Sequence, residues 1–153
     1  MAEASALTAI ALNALFGLCV PSVSQGKLEQ TFPTADILPL TDKERAAYAD
    51  AIKDDDRSFR ARSSSGFVLV TIKGGFCRVI IGEDEGQKAA DDFLAKLKIA
   101  GGHEDRVSKG KEGYETIDGT IPLDGGDIVA LVFTTRLNSN SGFFASAFGA
   151  HKD

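Results

Sequence analysis

Two cysteines, Cys19 and Cys77, are the residues whose type and placement most directly suggest chemistry, and that chemistry is oxidation to a disulfide. Cys19 closes an apolar stretch of helical spacing and Cys77 stands on an apolar strand, so a bridge would pin a helix to a sheet. Closing a loop of roughly sixty residues stabilises a fold by about 4 kcal/mol in the chain-entropy account. Two separate buried thiols are the competing reading, because free cysteine often serves as a small hydrophobe. A bridge would imply an oxidising compartment such as the periplasm. The separation of the two excludes a C-x-x-C redox motif, and two cysteines with two distant histidines form no zinc ligand set.

The other reactive residue types do not assemble into a catalytic set. His103 sits in a charged polar stretch and His151 is third from the end, where chains usually fray, so each general-base candidate reads as a surface residue. Ser63, Ser64 and Ser65 lack the G-x-S-x-G context that exposes a nucleophile on a strained turn. Gly74, Gly75, Gly82 and Gly86 match neither a phosphate loop nor a dinucleotide fingerprint. Asp54, Asp55 and Asp56 are consecutive, whereas calcium loops alternate ligands with spacers, so this run reads as a solvated helix exit. The acids at 83–85 and 91–92 fall at a helix start or on exposed helical positions, where the helix dipole accounts for several of them. No catalytic residue, cofactor or metal ligand is assigned. Arg60, Arg62 and Arg78 could gather on one side of a sheet and hold an anion. Ordinary edge and rim charge is the competing reading, because no glycine-rich cradle accompanies them.

The element that must position Cys77 runs from Gly66 to Ile81, GFVLVTIKGGFCRVII. Gly74-Gly75 between two apolar runs predicts a two-residue hairpin loop, which needs positive φ and so favours glycine. That loop fixes the register: Lys73 faces Phe76, Ile72 faces Cys77, Val70 faces Val79 and Val68 faces Ile81. Alternation then puts Val68, Val70, Ile72, Cys77, Val79 and Ile81 on a core face. The opposite face carries Leu69, Thr71, Lys73, Phe76, Arg78 and Ile80, and Phe67, Leu69, Phe76, Arg78 and Ile80 mark a candidate partner face.

Ser5 to Val20 has apolar residues at helical spacing and should end at Pro21, with Cys19 in its last turn. Ser22 to Leu40 shows no period and reads as an ordered loop. Thr41 and Glu44 have capping-box spacing, predicting a helix from Asp42 to Lys53 with Ala46, Ala49 and Ile52 inward. Ser58 to Arg62 alternates as an edge strand whose arginines discourage pairing. Asp84 should start a third helix with Ala90, Phe93, Leu94 and Leu97 inward, stopped at Gly101-Gly102. His103 to Gly113 reads as a ragged strand or loop. Strands follow at Tyr114 to Leu123, Ile128 to Leu137 and Phe143 to Ala150, the second apolar on both alternate sets and therefore expected to be covered on both faces. The expected fold is one α+β domain over residues 1–153: a mainly antiparallel sheet of about five to six strands with three helices packed on it.

The segments ALFGLCV, GGFCRVI with an acidic turn and AADDFLAKL after it, and DGGDIVALVFTT before a small, aromatic-containing last strand resemble the layout of a group of small exported proteobacterial proteins of uncharacterised function. The resemblance covers most of the chain through short motifs. It implies export and a bridge between Cys19 and Cys77, and it brings no catalytic residues.

A chain of 153 residues buries roughly 70% of its unfolded surface and is long enough to fold without staples. Its formal net charge of −5 argues against nucleic-acid binding, which needs a basic stripe to neutralise phosphates. The N-terminal apolar run lacks the preceding Lys or Arg of a signal peptide, and Asn13 interrupts it, so it reads as the first helix of a mature chain rather than a transmembrane segment. Met1 is read as standing where an export signal has been removed. The expectation is a periplasmic or secreted, non-enzymatic protein that binds a protein partner or a second copy of itself, in the manner of an inhibitor or immunity protein; a cytoplasmic location is the alternative. A small-ligand-binding protein with a concave pocket is the second reading. A small hydrolase is the third, to be recognised by loss of turnover on His103→Ala.

Overall fold

The computed structural model describes residues 6–25, 37–47, 49, 57–61, 68–73, 76–81, 86–136 and 143–150. The hairpin has the register that its loop length dictates: β3 (Val68–Lys73) pairs with β4 (Phe76–Ile81) through Lys73 opposite Phe76, Ile72 opposite Cys77 and Val68 opposite Ile81. Around it stand β1 (Ile37–Pro39), β2 (Arg57–Ala61), β5 (His103–Lys109), β6 (Tyr114–Pro122), β7 (Ile128–Arg136) and β8 (Phe143–Ala150). All eight strands form one antiparallel sheet in the order β1-β2-β3-β4-β8-β7-β6-β5. It consists of two four-stranded meanders joined where β4 pairs with β8.

Eight strands exceed the expected five to six, and both extra ones are edges. β1 lies within the segment expected to be a loop; Pro39 ends it, and an edge tolerates a residue without an N–H. β5 is ragged in sequence because it is charged and exposed, with a register shift between Glu104 and Arg106. β2 is consequently not an edge, and β8 is central.

The first helix does not stop at Pro21. α1 (Ala6–Ala14) passes through a π-helical turn, Leu15–Cys19, into α2 (Val20–Gln25). Within that wider turn the Val20 N–H donates to the Leu15 carbonyl, which relieves the clash a proline ring makes with the preceding turn. Ser22 Oγ donates to the Leu18 carbonyl. Thr8–Gln25 is therefore an 18-residue helix, long and apolar enough by length and composition to cross a membrane, which corrects the expectation that it is too short. Here its inner stripe, Ala11, Leu12, Leu15 and Cys19, belongs to the core.

α3 (Asp42–Ala47) is shorter than expected, and Ala46 and Ala49 are exposed rather than inward; Ile52 lies outside the described residues. Its capping box is formed: the Thr41 N–H donates to Glu44 Oε1 at 3.0 Å and the Glu44 N–H to Thr41 Oγ1 at 3.2 Å. α4 (Gly86–Ile99) buries Ala89, Ala90, Phe93 and Leu97. Gly101, at φ +84°, ends the helix, and the Gly102 N–H returns to the Leu97 carbonyl at 2.9 Å.

The core lies between one sheet face and the helices α1, α2 and α4. Phe93 stacks on Phe133 with centroids 4.8 Å apart and meets Phe16 at 5.7 Å. Among the described residues β7 is fully buried on one face only: Val129, Leu131 and Phe133 are buried, whereas Ile128, Ala130 and Val132 are half-buried.

Candidate functional site

The Cys19 and Cys77 sulfurs lie 2.05 Å apart in a disulfide with Cα atoms at 5.4 Å, and both residues are fully buried. The helical spacing before Cys19 and the hairpin register together aim the two side chains at each other. The bridge ties the first helix to β4 from the core side. It is structural, because neither sulfur reaches solvent.

On the other side of β4 the same alternation turns Phe76, Arg78 and Ile80 away from α1, α2 and α4. β8 brings Phe148 opposite Phe76, Ser146 opposite Arg78 and Phe144 opposite Ile80. Four large apolar side chains thus bracket one arginine and one serine at the middle of the sheet. Phe144 is 40% exposed and Phe148 37%, unusual for phenylalanine on central strands. The Arg78 Nε is buried and has no hydrogen-bond partner. Further along the face β7 offers Ala130, Val132 and Thr134, and β6 offers Thr116, Asp118 and Thr120. Thr116 and Thr134 join their hydroxyls at 3.0 Å.

Of the expected partner face, the structure keeps Phe76, Arg78 and Ile80 on this half-exposed surface. Leu69 lies opposite Ile80 on the same face but is buried there under Leu40, and Ile80 packs against this pair. Phe67 lies outside the described residues. Of the expected anion contacts, Arg60 and Arg78 share one side of the sheet, with β3 between them and about 12 Å apart at the usual strand and residue spacings. Arg60 is held by Glu44 at 3.2 Å. Arg62 lies outside the described residues, as do Ser63, Ser64, Ser65 and His151.

Phe144, Ser146 and Phe148 are not among the site residues that the sequence singles out. The legible signal is the alternation itself, in which Phe144, Ser146 and Phe148 interleave with Ala145, Ala147 and Gly149. The small set faces the helices because they come close there: a Cβ on Gly149 would meet the Val23 carbonyl oxygen at 3.1 Å. The large set must then face outward.

His103 Nε2 meets Asp105 Oδ1 at 2.9 Å on β5, and Thr120 Oγ1 donates to the other carboxylate oxygen. The carboxylate stands between the imidazole and the hydroxyl, so His103 is not in line to take the Thr120 proton. With His103 59% and Asp105 43% exposed, this group is an exposed edge network.

No family model matches the chain, and no curated protein or solved structure matches it either.

Proposed function

We propose that the chain is a non-enzymatic recognition protein of an oxidising compartment, the periplasm or the secreted space, which holds a protein partner on the uncovered half of its sheet. The observation that carries this reading is the arrangement around Arg78: a guanidinium with an unpartnered, buried Nε, ringed by Phe76, Ile80, Phe144 and Phe148 on the two central strands. Protein interfaces concentrate their energy in such places, where an arginine or aromatic anchor is enclosed by apolar contacts that exclude water. The charge of Arg78 calls for a carboxylate on the partner, set among small or apolar side chains. The buried bridge supports the compartment, since disulfides persist where thiols are not kept reduced.

The test is a photoreactive side chain in place of Ser146, with the same group at exposed Lys88 on α4 as control. Irradiation in the native cell should give one discrete protein adduct from position 146 and none from position 88. Equal labelling at both, or none at 146, would end the proposal.

A further inference from the structure

Resting on that recognition reading, we propose that the partner seated on this face is a second copy of the same chain, packed sheet against sheet about a two-fold axis. The face is asymmetric in a way that makes it complementary to itself. In the three rows centred on Arg78, its β4 and β8 side carries the large groups and the positive charge, and its β7 and β6 side carries the small groups and the negative charge. The central row, read across adjacent strands, is Arg78, Ser146, Val132 and Asp118.

Consider a two-fold axis parallel to the strands, above the boundary between β8 and β7. It lays β4 of one copy over β6 of the other and β8 over β7, with strand directions preserved, as in aligned sandwiches with sheets about 10 Å apart. Arg78 then stands over Asp118 of the second copy. Along the same strands Phe144 falls over Thr134 and Phe148 over Ala130. Phe76 falls over Thr120 and Ile80 over Thr116. Every bulky residue meets a small one, and each charge meets its opposite, twice by symmetry.

Within one chain these charges do not meet. Arg78 and Asp118 are three strand spacings apart, roughly 14 Å. Among the described residues neither belongs to an ion pair, even though Asp118 is the register neighbour of Arg106. Both are half-buried rather than fully solvated. A parallel axis above β8, or above its boundary with β4, would oppose Phe to Phe and leave Arg78 over Val132 or Ser146, and one above β7 would set Arg78 against Arg106.

The experiment is a charge exchange read by analytical ultracentrifugation of the oxidised chain. The wild type should sediment with about twice the 16.2 kDa chain mass. Arg78→Asp and Asp118→Arg should each be monomeric, with dimer affinity weakened roughly 100-fold or more, because symmetry applies every substitution twice. An equimolar mixture of the two variants should regain the dimer as a heterodimer, since both contacts are then opposite in sign. A wild type that stays monomeric at all concentrations overturns the inference, and so does a dimer that survives both single substitutions. Should either variant fail to fold, the crosslink from position 146 decides on the otherwise native chain. An adduct of twice the chain mass, attached within β7, supports the second copy. An adduct of any other mass overturns it while leaving the recognition reading in place, and no adduct overturns both.

Discussion

Breaking the bridge between Cys19 and Cys77 should destabilise the fold through the unfolded chain rather than through lost packing. The sulfurs join positions 58 residues apart, and the loop-closure relation converts a loop of that length into about 4 kcal/mol at room temperature. In a chain of 153 residues each kcal/mol moves the thermal midpoint by about 2–4 °C, so the loss should be about 10 °C. Two forms separate the tether from the packing. Wild type reduced in denaturant and refolded under reductant keeps both buried sulfurs and loses only the covalent link. Cys19→Ala/Cys77→Ala also removes buried sulfur from a site that is 0% exposed, adding roughly 1–2 kcal/mol of cavity cost. The expected order of midpoints in a thermal or urea melt is oxidised wild type, reduced wild type, double variant. Reduced wild type melting with the oxidised form would refute the argument that the bridge restrains the unfolded chain. A double variant melting with the oxidised form would refute the burial argument as well.

Phe93→Ala should lose about 3–5 kcal/mol in a urea melt, because Phe93 is fully buried and stacked on Phe133. Two glycine substitutions should have opposite signs. Gly17→Ala should stabilise by up to about 1 kcal/mol, since a Cβ there meets nothing within 4 Å and the residue is exposed in a continuous helix. Gly119→Ala should destabilise by about 1–3 kcal/mol, since its Cβ would come within 2.7 Å of Leu97 Cδ2. Paired melts of these two variants check both signs in one experiment. Thr41→Ala should cost about 1 kcal/mol through the lost cap on α3, read as faster amide exchange at Glu44 and Arg45.

The parts of this fold that were legible are those where one local rule decides the geometry. A two-residue loop sets the β3–β4 register without reference to the rest of the chain, and with it the direction in which Cys77 points. The capping box at Thr41 and Glu44 and the stop at Gly101-Gly102 are equally local. The misread parts depend on what lies alongside. Pro21 reads as a terminator until the π turn before it is known. Ile37–Pro39 has too few residues to show a period, and β5 is polar because it is an edge. β8 is the last strand in the sequence, yet it crosses back to pair with β4 and closes the sheet centrally. That single placement builds the face around Arg78, which is why the sequence yielded Phe76, Arg78 and Ile80 but not Phe144, Ser146 and Phe148.

The two ways in which a sheet can bind are treated very differently in this chain. Strand addition needs a long, regular, unpaired edge. One edge here is β1, three residues ending in proline; the other is β5, exposed, charged and interrupted between Glu104 and Arg106. Both carry the features by which sheets resist edge pairing. The central strands carry the opposite features: two partly exposed phenylalanines and an arginine with a buried unpartnered Nε, on the side away from α1, α2 and α4. A chain selected only for solubility would place such side chains at the rim, where charge is available to dilute them. Instead the charge sits at the edges and the apolar groups at the middle, the distribution of an interface core with a polar rim. On the proposed reading, contact therefore runs through the face rather than through an edge.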